Sequence, residues 1–232
     1  MTQPRLVEVR QKVLTKNDAA ARILRERFQD AGVCVISLVS SPGSGKTAFL
    51  ERVLSLLRTD FRVAALVGDL ATDNDAARLA RSRVPVKQIS TGTICHLDAN
   101  MVSSALEEWN LAELDFLFIE NVGNLVCPSS YDLGEAARAV LLSVTEGEDK
   151  PLKYPSIFHT ADAAILTKMD LAQAVEFDAA AAYRNIDAVR PGIPIFESSV
   201  KTETGLQEVL TWIKSYRSLR NSGSGGPSLG HG

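Results

Sequence analysis

One residue after the apolar run Val33–Val39, and running into a helix-forming stretch that ends at Leu57, stands Ser41-Pro-Gly-Ser-Gly-Lys-Thr47. Few folds accommodate a small-residue loop with two glycines, entered from a strand and left through a helix that opens on Lys-Thr. The glycines let the backbone approach a ligand, and the loop amides with the helix N-terminus form a positive nest. This is the context a phosphate-binding loop demands. The pattern expects one more glycine, at position 40, where this chain has Ser40; serine is small enough for the place. Gly43, Ser44, Gly45, Lys46, Thr47 and Ala48 are the expected phosphate contacts. Lys46 supplies a point charge to the β- and γ-phosphates, and Thr47 a hydroxyl to Mg²⁺.

Short β-branched runs alternate with helical patterns along most of the chain, which predicts an α/β fold, doubly wound, with a mostly parallel sheet of about seven strands. Strands are expected at Val33–Val39, Val63–Val67, Val86–Ile89, Asp115–Ile119, Ala139–Val144, Ala163–Leu166 and Ile193–Phe196. Helices are expected at Asn17–Gln29 (capped by Asn17 or Asp18 and stopped at Gly32), Thr47–Leu57, Asp75–Arg81, Leu97–Trp109, Phe177–Val189 and Gly205–Tyr216. With 232 residues, 45% of them hydrophobic, the chain can bury roughly 70% of its unfolded surface and needs no disulfide to fold. Residues 1–218 are expected to form one domain with an N-terminal helix, and residues 219–232, rich in Gly and Ser, a flexible tail. The net charge of −3 and the lack of a basic block argue against nucleic acid or an anionic membrane as partner. No signal-peptide pattern and no membrane-length apolar run are present, so a cytoplasmic location is expected.

Three further segments narrow the nucleotide. Thr167-Lys168-Met169-Asp170 follows an apolar strand and is close to the guanine-reading N-K-x-D, with Thr in place of Asn. A carboxylate at Asp170 can accept from guanine N1–H and the 2-amino group, a donor pair that adenine lacks. After the last strand, Glu197-Ser198-Ser199-Val200-Lys201 offers a backbone amide for guanine O6. Asp170 is also explained as a helix cap, and the two explanations are compatible. Finally, the apolar run from Asp115 delivers Glu120 at the carboxyl end of a strand, where open α/β sheets bind ligands. Glu120-Asn-Val-Gly123 stands where GTPases carry the D-x-x-G switch, so Glu120 can hold a Mg²⁺-bound water and the Gly123 amide can sense the γ-phosphate. Asp69, ending the second strand, adds a carboxylate near Mg²⁺. Lys46, Asp69 and Glu120 are the catalytic candidates. No water-activating Gln and no Arg finger stand out, so slow hydrolysis is expected.

Of the three cysteines, Cys34 lies inside an apolar strand and is expected in the core. Cys95 adjoins His96, and Cys127 follows Glu120 by seven residues. Two thiols and one imidazole suit Ni²⁺ or Zn²⁺ but leave the shell open; unrelated, partly buried cysteines are the alternative. His159 and His231 have no such neighbours and are expected at the surface or as caps.

The chain resembles the hydrogenase nickel-incorporation GTPases, the HypB family. The resemblance is carried by Ser41–Thr47, Gly68–Asp75, Gly92-Thr-Ile-Cys-His-Leu-Asp-Ala99, Glu120-Asn-Val-Gly-Asn-Leu-Val-Cys-Pro128, Asp149-Lys-Pro-Leu-Lys-Tyr-Pro155 and Leu166–Leu171, in family order. It implies a P-loop GTPase of the nucleotide-dependent dimerising type that helps deliver nickel to the large subunit of a nickel–iron hydrogenase, together with a zinc-binding accessory chaperone. It also implies that Cys95, His96 and Cys127 form the family's interface metal site. Some members carry a Cys-rich N-terminal motif or a His-rich tract; neither is in this sequence, so no separate storage site is expected. Three alternatives compete: a urease-type nickel GTPase, whose Cys-Pro-His motif is absent; a GTP-dependent interaction switch with incidental cysteines; and a small-molecule kinase, disfavoured by the guanine reader.

Overall fold

The computed structural model of the chain describes residues 5–69 and 74–223. Seven strands, β1 (Cys34–Ser40), β2 (Val63–Asp69), β3 (Val86–Ser90), β4 (Phe116–Glu120), β5 (Ala137–Ser143), β6 (Ala163–Thr167) and β7 (Ile195–Glu197), form one sheet in the order β3-β2-β4-β1-β5-β6-β7. Every neighbouring pair is parallel. Each residue of β1, β4, β5 and β6 is buried, because helices cover both faces; hence the unbroken apolar runs in the sequence.

The faces divide by strand parity. Ile36 and Leu38 of β1 turn toward α2 (Lys46–Leu57) and α8 (Leu206–Gly223), in a core with Phe49, Leu50, Val209 and Ile213. Val33, preceding β1, and Val35 within it turn toward α1 (Arg5–Asp30) and α4 (Ala99–Ala105), packing with Leu24, Phe28 and Val102. Val39, on that same side, meets a third cluster with Ile157 and Phe158 of α6 (Pro155–His159) and Ile186 of α7 (Ala179–Val189). The chain leaves β1 toward one sheet edge, returns at β4 and continues through β5 on the other side. The switch point is therefore at β1, with the carboxyl ends of β1 and β4 adjacent.

Strand ends shift by one or two residues from expectation, and the helices differ more. Helix α1 begins by Arg5, so Asn17 is no cap: it is 3% exposed, mid-helix, and its side chain bridges distant segments. Its Oδ1 accepts from Ala99 N and its Nδ2 donates to Asp132 O, both at 2.9 Å. Helix α4 starts two residues later than expected because Asp98 caps it, accepting from Met101 N at 2.8 Å, and it ends at Ala105, short of Trp109. The stretch after residue 73 forms α3 (Asn74–Leu79) followed by a 3₁₀ turn, Ala80–Ser82. Within Asp149–Pro155 an unexpected helix forms, α5 (Lys150–Lys153), with proline in its first turn. At the other end α8 runs to Gly223, past the expected boundary at 218, since no Gly or Pro interrupts it earlier; residues 224–232 and His231 lie outside the described residues. Among the described residues, no helix is long and apolar enough to cross a membrane.

Candidate nucleotide and metal sites

The phosphate loop joins β1 to α2. Gly43 and Gly45 have φ of +75° and +90°, the left-handed region that side chains strain to enter, and Gly45 is the N-cap of α2. Ser40 is the last residue of β1, paired with Leu141, so the position makes no demand for glycine. Its hydroxyl donates to Ser41 O at 2.9 Å and accepts from Ser44 Oγ at 2.6 Å. A cleft of about 390 Å³ opens over the loop, lined by residues 41–48 with Asp75, Arg78, Val122 and Gly123.

Glu120, at the end of β4, is 1% exposed. Its Oε1 accepts from Thr47 Oγ1 at 2.6 Å and lies 3.5 Å from Lys46 Nζ. Burial pushes the carboxyl pKa up, opposed by the Lys46 charge and the Thr47 hydroxyl. Its Oε2 is buried without a partner among the described residues, and a carboxylate oxygen beside a threonine hydroxyl is a donor set that suits Mg²⁺ or its bound water. Three of the expected residues thus meet. Asp69 ends β2, two residues beyond Val67, which pairs with Glu120 of β4, and its own backbone pairs with Ser90 of β3; its side chain lies outside the described residues. Gly123 packs on the loop itself: a Cβ there would stand 3.0 Å from Pro42 Cα.

A second cleft of about 270 Å³ continues around the N-terminus of α2, sharing Ser44, Gly45 and Ala48 with the first. Its far wall is Thr167, Lys168, Asp170, Ser198 and Val200, with Lys201. Thr167 Oγ1 donates to Ser44 O and Lys168 Nζ to Gly43 O, each at 2.7 Å, so the segment after β6 is fastened to the phosphate loop. Lys168 is the N-cap of the short turn that carries Asp170, so Asp170 is not itself a cap. Instead its Oδ1 accepts from Ser199 Oγ at 2.6 Å, and the residue is exposed on the cleft wall. That bond fixes the register of the last turn, with Val200 as the next amide.

Cys95, His96 and Cys127 come together with their ligand atoms within 4.8 Å of one another; the two Sγ atoms are 2.9 Å apart. His96 stacks on Tyr131, ring centroids 3.8 Å apart, and its Nδ1 is buried without a partner among the described residues. Burial lowers the imidazole pKa against the pull of Asp98, which favours the neutral ring that binds metal. Two thiols and an orphaned imidazole nitrogen suit Ni²⁺ or Zn²⁺. Cys34 is in the core at 0% exposure, as expected, and His159 is exposed.

Four residues at these sites escaped the sequence. Asn121 Oδ1 accepts from Leu97 N and Val122 N at 3.0 and 2.9 Å, and Asn124 Nδ2 donates to Cys95 O at 3.3 Å. Arg138, 7% exposed, donates to Pro128 O and Tyr131 O at 3.3 and 2.7 Å, bracing the segment after Cys127. Tyr131 is the fourth. Only the two asparagines had a signal, their place inside Glu120–Pro128.

Comparison with known proteins shows the family. The family model described as CobW/HypB/UreG, nucleotide-binding domain, matches residues 34–197. The hydrogenase maturation factor HypB of Azotobacter chroococcum is 46% identical over 220 residues, 95% of this chain and 72% of that protein. The hydrogenase/urease maturation factor HypB of Helicobacter pylori is 44% identical over 211 residues, 89% of this chain and 86% of that protein. The crystal structure of HypB from Helicobacter pylori in complex with nickel superposes with a TM-score of 0.83 at 42% identity, covering 92% of this chain and all of that one. The chain belongs to the CobW/HypB/UreG family of nucleotide-binding domains and, within it, to the HypB hydrogenase maturation factors.

Proposed function

We propose that this chain is a GTP-binding, slowly hydrolysing switch that carries nickel toward a nickel–iron hydrogenase. The observation that carries the reading is the convergence of Cys95, His96 and Cys127 within 4.8 Å, on segments laced to the one that follows Glu120. The similarity to a HypB crystallised with nickel supports it.

In this reading the guanine enters the smaller cleft. Asp170, held by Ser199, accepts from N1–H and the 2-amino group, and the Val200 amide donates to O6. The triphosphate crosses the N-terminus of α2, where the loop amides of 43–48 and Lys46 take its charge. Lys46 and Thr47 both contact Glu120; bound phosphate oxygens would compete with this carboxylate for the Lys46 ammonium. Bound Mg²⁺, held by Thr47 and by Glu120 and Asp69 partly through water, would neutralise charge on the phosphates. Gly123, packed on Pro42, registers the γ-phosphate, and the backbone from Glu120 to Gly123 passes the change toward Cys127. Slow hydrolysis then serves timing.

Nickel is the cargo. Three protein ligands leave a four-coordinate shell open, and the apolar residues beside the cysteines, Ile94 and Val126, are 40% and 60% exposed. Both features suit completion of the site by another protein: a second copy of the chain, a zinc-binding accessory chaperone or the hydrogenase large subunit. The test is a nickel titration of wild-type chain and Cys127→Ala. Equal affinity for Ni²⁺ in the two would sink this reading of the cluster.

A further inference from the structure

Lys46 and Arg78 are the two cations that line the phosphate cleft among the described residues. Lys46 belongs to the loop, whereas Arg78 comes from α3, and it faces the cleft together with Thr47, Val122 and Gly123. The base cleft lacks it, which puts it at the end of the site away from the base. The next residue, Leu79, is fully buried and packs in the core with Phe49, Leu50 and Val53 of α2, so the position of Arg78 over the cleft is fixed by packing.

The side chain itself is held loosely. Its Nε lies 3.8 Å from Glu51 Oε2, beyond hydrogen-bond distance, and half of the side chain is exposed. Glu51 follows Thr47 by four residues in α2, so the two share one face of the helix, one turn apart. Thr47 in turn meets Glu120. The guanidinium therefore stands one turn of α2 from the hydroxyl that suits Mg²⁺. A turn rises about 5.4 Å, a distance within the swing of an arginine side chain.

A γ-phosphate in this cleft builds charge on its outer oxygens as its bond to the β-phosphate breaks. A guanidinium suits that group, since it is planar, always charged, and can pair with two phosphate oxygens at once. We propose that Arg78 leaves Glu51 for the γ-phosphate of bound GTP and stabilises the charge that develops there, as a catalytic residue supplied by the same chain. This rests on the GTP-hydrolysing site described under Proposed function. Water bonds to the γ-phosphorus as the bridging P–O bond breaks; GDP leaves with that electron pair, and the water protons end on inorganic phosphate and in solvent. Arg78 keeps its own proton throughout. Competition from Glu51 for the guanidinium is one cause of slow turnover.

The test is Mg²⁺-dependent GTP turnover and GDP binding in wild-type chain, Arg78→Ala and Glu51→Gln, each checked for its fold by circular dichroism. Arg78→Ala is expected to lower kcat about 10²-fold, with GDP affinity within about twofold of wild type because GDP has no γ-phosphate. Aluminium fluoride, which with GDP mimics the transferring phosphoryl group, is expected to tighten GDP binding in the wild-type chain and not in Arg78→Ala. Glu51→Gln frees the guanidinium from a weak surface pair and is expected to raise kcat about two- to fivefold. An unchanged kcat in Arg78→Ala overturns the assignment, and so does a loss that GDP affinity shares in full, which marks a structural role. A fall in kcat in Glu51→Gln overturns it as well, with Arg78 left in place. If the wild-type chain does not turn over GTP, the hydrolysing site itself fails; if it does and Arg78→Ala matches it, only the role of Arg78 fails.

Discussion

The Oδ1 of Asn121 accepts a hydrogen bond from the amide of Leu97 at 3.0 Å, so the neighbour of Glu120 is tied to the neighbour of His96. A second tie, from Asn124 Nδ2 to the Cys95 carbonyl at 3.3 Å, fastens the same two segments three residues before Cys127 is reached. A movement of the backbone after Glu120 therefore acts on all three candidate metal ligands, two through hydrogen bonds and one through the chain.

Linkage makes that relationship measurable. If GTP weakens nickel binding, nickel must weaken GTP binding by the same factor, with a coupling of about 1–3 kcal/mol in typical cases. Nickel affinity should differ between the GDP state and a non-hydrolysable GTP analogue in the wild-type chain. The difference should shrink in Asn124→Ala and Asn121→Ser. Equal affinities in both nucleotide states of the wild type would leave the metal site uncoupled.

Asp170 is the proposed reader of the base. Its exposed carboxylate makes two charge-assisted bonds in the proposed complex, so GTP should exceed ATP in affinity by roughly 10- to 100-fold. Asp170→Asn should lose GDP and gain xanthosine nucleotides, whose 2-oxo group accepts from the new amide. A wild-type chain that binds ATP as tightly as GTP would be decisive against this site.

Lys46 and Thr47 are the proposed phosphate and Mg²⁺ contacts. Lys46→Ala or Thr47→Ala should lower GTP turnover by about 10²-fold or more, the usual loss when a charge-stabilising group is removed. Far-ultraviolet circular dichroism should be little changed, because both side chains face the cleft. Normal hydrolysis by folded Lys46→Ala would contradict the phosphate-loop assignment.

Asp115 governs part of the acid stability. Hydrogen bonds from Arg62, at 2.8 to 3.2 Å, hold its carboxyl below the usual carboxylate range against burial, and the Arg217 charge adds to them. A carboxyl lowered on folding stabilises above its unfolded pKa, about 3.9, and loses that contribution as pH falls through the lower folded value. Asp115→Asn should thus lower the Tm at pH 7 by roughly 2–4 °C and converge on the wild type in strong acid. Parallel Tm–pH curves would refute it.

Asn17 braces the segments that follow the candidate metal ligands, through Ala99 N and Asp132 O. Asn17→Leu leaves two buried backbone groups unpaired, at about 1–3 kcal/mol each. Urea unfolding should show the loss, and nickel affinity should fall in protein that remains folded. Unchanged urea midpoint and nickel affinity would mean that the bridge is idle.

Local patterns determined a great deal. The two glycines before Lys46, the apolar runs now buried in β1, β4, β5 and β6, and the spacing of Thr167–Asp170 each have a cause that acts over a few residues. Backbone freedom, the burial of both sheet faces and the shape of a turn are such causes, and all are readable without the partner. The cluster of Cys95, His96 and Cys127 was legible as a candidate ligand set for the same reason, since thiol and imidazole chemistry belongs to the residue types themselves.

What tertiary structure decided were the partners. Asn17 looks like a helix cap because an asparagine at the start of an amphipathic stretch usually is one. Its amide instead spans to residues 82 and 115 positions away, and no local pattern encodes that distance. Helix α4 stops short of the expected Trp109, while Asp98 rather than Leu97 starts it and the Leu97 amide belongs to Asn121. The bracing by Arg138 and Tyr131 likewise exists only once β4, β5, β6 and β7 lie in their order in the sheet. A side chain's own chemistry is written in its residue type, but which group satisfies it is a property of the packed chain, and the sequence by itself leaves that open.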